Sequence, residues 1–442
     1  MTEQSLETPL RAGAGPVSAG ERLAGLDMLR GVAVLGILVM NIYTFAMPFP
    51  AYYNPLLMGG TDAVNLGTWF FTHVLFDQKF LSIFAMLFGA GVVLMWERAE
   101  ARGAGFAGIY YRRMFWLLVI GALHAYLLWF GDILFMYAAI GMLVYPLRRL
   151  APARLILIAV LLMPVALLLS YGNSVYVETV QREVAELEAR KAAGETLAGE
   201  EQGKLDEWEK TRSFMVPTVD DVQKDVDAYR SGYLDIVAHR APTVLMMQVA
   251  MIPFFGLWRV GALMLLGMAL MKLRVLTGER STAFYRGLMF AGYGLGLPLT
   301  VFSALDLYAH DFAILYAFRY GNIANYVGSV IVAFGHIGLV YLVVKTGFVR
   351  GLMQRFAAVG QMALTNYLLH SVILTTVFYG YGLGLYASVP RLGQMGFVAA
   401  VIALQLIVSP WWLARYRFGP VEWLWRSLTY RRRQPMRREA PA

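Results

Sequence analysis

The chain is built from long apolar runs whose ends carry arginine. Gly31–Met47 follows Arg22 and Arg30, and Phe80–Trp96 runs into Arg98, Arg102, Arg112 and Arg113. Leu155–Tyr171 follows Arg148, Arg149 and Arg154, and Met395–Leu413 precedes Arg415 and Arg417. Runs of this length match the roughly 20 residues a helix needs to cross a bilayer, and arginine at alternate ends fits the positive-inside bias. Hydrophobic residues make up 58% and charged residues 15% of the 442 residues, with no cysteine. Soluble domains average about 25% charged residues, so this composition predicts a polytopic membrane protein. It also excludes a disordered chain, a disulfide framework, a thiolate metal site and a cysteine nucleophile.

Further runs at Met114–Phe130, Ile133–Leu147, Leu288–Leu305, Ile323–Val344 and Ala357–Tyr379, with one crossing inside Pro242–Lys272, bring the expected number of crossings to about ten. The expected fold is an all-α polytopic bundle with both termini cytoplasmic. Asp62–Phe76 is too short to cross comfortably and reads as an interfacial or re-entrant helix. Pro242–Lys272 is too long for one straight span, and Pro253 suggests a peripheral or broken first half. Residues 1–22 read as a disordered cytoplasmic tail, 23–171 and 242–414 as two bundles of about five spans each, and 415–442 as a basic tail with an interfacial helix.

Residues 172–241 interrupt this pattern. Gly172–Arg240 holds 15 acidic against 9 basic residues, whereas the whole chain is +9. Val177, Val180, Val184 and Leu187 recur at helical spacing, which predicts a helical insert outside the membrane on the side away from the arginines. The basic residues flank apolar spans, so the positive charge reflects membrane topology and argues against a nucleic-acid partner.

Ionisable groups inside a membrane are costly and therefore functional candidates. His124 lies mid-span and can take a proton from an acceptor hydroxyl or amine. Asp132 can cap the helix that starts after it or orient His124, although eight residues along a straight helix are about 12 Å. Asn41, Asn366, His370 and Gln405 can hold a substrate or join helices. Asp77, Lys79 and Arg259 are expected at similar depth, as an anion site or as ion pairs. Arg30, Arg98, Arg112 and Arg113 cluster near three helix ends, where guanidinium forks suit phosphates or anionic lipid headgroups. His73, His239, His310 and His336 show no partner pattern, and no spacing suggests a metal site.

Five ordered motifs carry a resemblance. They are Leu26-Asp27-Met28-Leu29-Arg30-Gly31 running on to Asn41, Lys79-Phe80 with Leu87-Phe88-Gly89-Ala90-Gly91, and His124 with Gly131-Asp132-Ile133-Leu134. Gly360-Gln361-Met362-Ala363-Leu364-Thr365-Asn366-Tyr367-Leu368 and Gly419-Pro420-Val421-Glu422-Trp423-Leu424-Trp425-Arg426 complete the set. Together they resemble the YeiB family of bacterial inner-membrane proteins from about Leu23 to Thr429. The first motif is also similar to the opening of the transmembrane acyltransferase superfamily, which includes heparan-glucosaminide N-acetyltransferase. That superfamily implies acyl transfer from cytoplasmic acyl-CoA to an acceptor, with acyl-CoA as a co-substrate and no permanently bound cofactor. Asn41 matches an asparagine important there. The superfamily's following histidine has no counterpart in Phe45-Ala46-Met47-Pro48-Phe49-Pro50-Ala51-Tyr52. The expected partners are membrane lipids, acyl-CoA and an acyl acceptor, with a homo-oligomer left open. A transporter or lipid flippase, and a sensor using the acidic insert, are the alternatives.

Overall fold

The computed structural model describes residues 24–103, 105–215 and 217–438. The expected tail 1–22 lies outside the described residues. In order, the helices are α1 (Ala24–Ala46), α2 (Pro50–Tyr53), α3 (Ala63–Leu75), α4 (Lys79–Ala101), α5 (Ala107–Leu127), α6 (Leu134–Val144), α7 (Pro152–Ala192), α8 (Gly199–Met215) and α9 (Val219–Tyr229). They continue as α10 (Tyr233–Met246), α11 (Gly261–Lys272), α12 (Thr282–Ala309), α13 (Ile314–Tyr316), α14 (Ile323–Thr346), α15 (Arg350–Gln361), α16 (Ala363–Phe378), α17 (Arg391–Arg415) and α18 (Pro420–Tyr430).

Among the described residues, seven helical stretches are long and apolar enough to cross a membrane, or eight if α15 and α16, bent by 83°, form one broken span. The chain is a multi-pass membrane protein. The two further crossings expected from sequence are the hairpin of α5 and α6. Helix α6 has 11 residues and continues directly as a 3-10 helix over Tyr145–Arg149; among the described residues neither arm of this hairpin is among the stretches that meet the length and apolarity of a span.

Helix α1 is the centre of the bundle, with 83% of its most apolar stretch buried, against 17% for the lipid-facing α7. It packs on α4, α15, α16 and α17. Helices α4 and α11 touch backbone to backbone. A Cβ on Gly89 would lie 1.9 Å from the Met264 carbonyl oxygen, and one on Gly267 would lie 1.9 Å from that of Met86. Bilayer lipid offers no hydrophobic drive for helix pairing, so close packing of small residues must supply it.

One expectation needs correction. Pro242–Lys272 is not broken: α10 and α11 are joined through a π-helical stretch, Met247–Val260, that contains Pro253. The wider ladder absorbs the proline within the helical path, and long π stretches are rare outside functional sites. Helix α3 follows Asp62, which accepts from the Val64 and Asn65 amides. It joins α4 through Gln78 in the left-handed region at φ 60°.

Helix α7 carries the chain 41 residues without interruption, about 60 Å, twice the hydrocarbon thickness. The first part of the insert is thus the outer half of a membrane helix. The predicted stripe packs there, with Val177 and Val184 buried against Trp208 of α8. Where the insert returns, Arg240 is buried and donates to the carbonyls of Tyr126 and Leu128, satisfying acceptors left open at the end of α5.

The α4–α11 contact yields a matched test. Gly89→Ala is expected to cost about 1–3 kcal/mol by overpacking. Gly91→Ala, two residues along the same helix and facing open space, should not lower the unfolding midpoint. Thermal unfolding in detergent reads both.

Candidate functional site

His124 and Asp132 meet, although a straight helix would hold them far apart. Helix α5 ends at Leu127 and the chain turns back before α6 begins at Leu134. Asp132 therefore lies beside the last turns of α5. Gly121 permits this: a Cβ there would sit 2.3 Å from the Phe135 amide nitrogen and 2.8 Å from Asp132 Oδ1. Asp132 performs both predicted roles at once. Its Oδ1 accepts from the Phe135 amide at 2.8 Å, capping α6, and its Oδ2 lies 2.6 Å from His124 Nδ1.

The other ring nitrogen, Nε2, is 2.7 Å from Ser371 Oγ on α16. A carboxylate on Nδ1 keeps the proton there, so Nε2 accepts and the Ser371 hydroxyl donates. The result is a buried Asp132–His124–Ser371 chain. Ser371 was not anticipated from the sequence, because it sits 247 residues from His124 in an apolar helix with no motif of its own.

Two cavities lie near this chain, and one of them reaches it at Asp132. One, of about 250 Å³, is lined by Arg30, Arg98, Arg113 and Arg426 with Asp27 and Glu422. The other, of about 270 Å³, is lined by Asn41, Asp77, Asp132 and several aromatic rings, near the base of the insert. Short helix α6 divides them. Leu134 and Tyr137 face the arginine cavity, and Ile133, Phe135 and Met136 face the other. His124 and Ser371 line neither cavity; Asp132 is the member of the chain that reaches one. Tyr367, packed at 5.3 Å against the His124 ring, faces the arginine cavity and accepts from the Ile133 amide.

The arginine cavity joins motifs remote in sequence. Arg30 donates to Asp27 at 2.8 Å, and the Arg113 guanidinium lies 3.5 Å from the centre of the Trp425 ring. Glu422 of α18 accepts from the Leu364 and Thr365 amides, so it caps α16 at the bend after α15. Arg98 and Arg426 complete the lining. Arg112 is not part of this cavity: it donates to the Thr429 carbonyl and faces a separate groove with Arg431, Arg432 and Arg433. One helical step turns its side chain away from that of Arg113.

Several other candidates serve as interhelical ties. Asn366 donates to Val359 O and Ser409 Oγ, His370 meets Gln405 at 2.9 Å, and Gln405 donates to Asn366 O. This seam between α16 and α17 lines neither cavity. Arg259 is buried and donates to Tyr326 O, Ser82 Oγ and Ser329 Oγ. It lines neither cavity. Lys79 and Asp77 share Asn325 as a bridge. Lys79 Nζ is 2.7 Å from Asn325 Oδ1, and Asn325 Nδ2 donates to Asp77 Oδ2 at 2.7 Å. Asp77 also accepts from the Tyr52 hydroxyl.

The remaining histidines do have partners. His73 lies 3.5 Å from Asp77, His239 pairs with Asp225, and His310 contacts Asp306. His336 meets the Tyr293 hydroxyl. No cluster of metal-ligating side chains occurs among the described residues.

The chain is 32% identical over 435 residues to the uncharacterized protein YxaH of Bacillus subtilis, covering 95% of this chain and 97% of that one. It is 31% identical over 415 residues to the uncharacterized protein YeiB of Escherichia coli, covering 94% and 98%. The chain belongs to the YeiB-like family. Residues 270–432 match the family described as protein of unknown function DUF418, so its segment contains Ser371 and Glu422 but not His124 or Asp132. An uncharacterized 39.9 kDa protein from the amylase 3' region of Bacillus acidopullulyticus is 24% identical over 423 residues, covering 95% and 97%. No solved structure matches.

The double bonding of Asp132 has a measurable consequence. Asp132→Ala removes a cap and leaves His124 Nδ1 unpaired, which should cost about 1–3 kcal/mol. Asp132→Asn keeps a capping oxygen and should recover part of that loss. Unfolding midpoints of the two variants in one detergent test the ordering.

Proposed function

We propose that this protein is an inner-membrane acyltransferase that takes an acyl group from cytoplasmic acyl-CoA and gives it to an acceptor on the insert side. The observation that carries this reading is the pair of cavities, one rich in guanidinium groups, on either side of short helix α6, with Asp132 of the Asp132–His124–Ser371 chain at the start of that helix and reaching the second cavity. In this reading the phosphates of acyl-CoA lie against Arg30, Arg98 and Arg113, and Arg426 joins them. Guanidinium forks bind phosphate oxygens in pairs, which suits such a site. The acyl end points toward α6 along Leu87, Leu117 and Leu134, which line the same cavity.

The acceptor hydroxyl or amine enters the other cavity beside Asn41 and Asp132. Its oxygen or nitrogen attacks the thioester carbon, the carbon–sulfur bond breaks, and the thiolate leaves on the arginine side and is protonated by water. The acceptor's proton passes to a carboxylate oxygen of Asp132, which the Nδ1–H of His124 holds in place from behind and which releases the proton to water after transfer. Asp132 fixes the imidazole tautomer, and Ser371 holds the far nitrogen in place. Acceptor and thioester must approach to about 3–3.5 Å. The Tyr367 and Leu134 side chains therefore move aside when both substrates are bound.

A transporter or flippase is the second reading, favoured by the π stretch Met247–Val260 that lines one cavity, since irregular helices near the midplane mark many transport sites. Consumption of the thioester separates the two. In reconstituted vesicles supplied with radiolabelled acetyl-CoA, the enzyme reading expects label on an acceptor from a native membrane extract. His124→Ala and Asp132→Ala should lower that transfer at least about a hundredfold, the usual scale of general acid–base catalysis. Undiminished transfer by folded His124→Ala removes the assigned role. Movement of a solute with no thioester consumed favours the transporter.

Arg30→Gln and Arg113→Gln should each weaken coenzyme A binding about tenfold, the scale of one charge-assisted pair. Arg112→Gln, which faces the separate groove, should leave it unchanged. Equilibrium titration with coenzyme A measures all three.

A further inference from the structure

The cavity on the insert side contains an unusual concentration of unmet hydrogen-bonding capacity. Trp69 Nε1, His73 Nε2, Gln78 Oε1 and Gln248 Nε2 are buried atoms without a hydrogen-bond partner, and all four residues line this one cavity. Trp69 and His73 are themselves more than nine-tenths buried. Leaving a buried donor or acceptor unpaired costs about 1–3 kcal/mol, so four on one wall point to a ligand that completes them.

The chemistry of the four sets the ligand's character. Two are N–H donors, one is an amide oxygen, and one is an imidazole nitrogen. Among the described residues no lysine or arginine lines the cavity, and the neighbouring Lys79 donates to His73 O and Asn325 Oδ1. Its carboxylates are occupied too, Asp77 by Tyr52 and Asn325, and Asp132 by His124 and the Phe135 amide. The group that fits is therefore an uncharged hydroxyl, which both donates and accepts.

One side of the cavity is apolar. The π stretch presents Met247, Met251, Ile252 and Phe255 to the cavity. Its opposite side carries Val249 and Phe254, which are 66% and 56% exposed. A single irregular helix thus separates the polar floor from the lipid-facing surface. Methionine-rich walls adapt to flexible chains.

We infer that this cavity binds an uncharged, hydroxyl-bearing lipid, with its hydroxyl among Trp69, His73, Gln78 and Gln248 and its chains along the π-helical wall. As a ligand site this stands on the cavity alone; as the acceptor site it rests on the acyl-transfer reading above.

Native mass spectrometry of the full chain tests it with three probes of equal chain length. These are dioctanoylglycerol, its O-methyl ether, and dioctanoyl phosphatidic acid. The wild-type protein should retain dioctanoylglycerol at least about tenfold better than the other two, the scale of one satisfied buried hydrogen bond. His73→Phe and Gln248→Leu should abolish that preference while unfolding no earlier than wild type, because each removes an unpaired polar group. Phe254→Ala, on the outward side, should keep the preference. Equal retention of the three probes, preference for the phosphatidic acid, no retention of dioctanoylglycerol, or wild-type preference in both folded variants would each overturn the inference. No acyl-CoA is present, so failure of the transfer reaction leaves this result intact, and the reverse also holds.

Discussion

A carboxylate inside a lipid bilayer is tolerable only when its oxygens are engaged, and Asp132 meets that condition in two directions. One oxygen holds the first free amide of α6 and the other holds His124. The first bond fixes where α6 starts; the second fixes how α5 and α6 lie against each other. Because α6 is the wall between the cavities, the same residue sets the thickness and position of that wall. Gly121 supplies the space and Arg240 quiets the carbonyls at the end of α5. Much of the site's geometry follows from making one charged side chain acceptable in hydrocarbon.

The arginine cavity is assembled by a similar economy of unmet backbone groups. Helices α15 and α16 are separated by a sharp bend, which exposes the amides that begin α16. Glu422 reaches from the terminal amphipathic helix to accept from two of them. The first motif closes the opposite wall, where a Cβ on Gly31 would lie 1.9 Å from the Phe356 carbonyl oxygen and one on Gly360 would lie 1.8 Å from that of Asp27. Three motifs more than 50 residues apart in the chain thus form one basic chamber. The insert-side cavity contrasts with it. There the buried polar groups are left incomplete, and a π-helical wall stands where an α-helix would pack more regularly.

Much of this was legible in the sequence. The apolar runs and their arginine ends specify a membrane bundle because backbone groups in lipid must bond within their own helix. His124 and Asp132 stood out as ionisable residues in apolar surroundings, and Asn41, Arg30, Arg98 and Arg113 do line cavities. Arg112, Arg259, Asn366 and His370 line neither cavity, because a few tens of degrees of helix rotation turn each toward a neighbour instead of a void. Ser371 and Asn325 have no local signal at all, and Glu422 stands in a motif that does not reveal its role, since a serine, a glutamate or an asparagine gains its role from a partner on a distant helix.

What the sequence by itself determined is the class of solvent this protein folds in, the family it belongs to and the residue types that must be hidden there. Hydropathy and charge act through transfer free energy, which depends on each residue and its near neighbours, so they can be read along the chain. The tertiary structure alone decided that a short helix lies between two cavities, that a histidine and an aspartate eight positions apart touch, and that the aspartate reaches one of those cavities. Those facts depend on helix rotation and backbone approach between segments hundreds of residues apart, which only the packed bundle fixes.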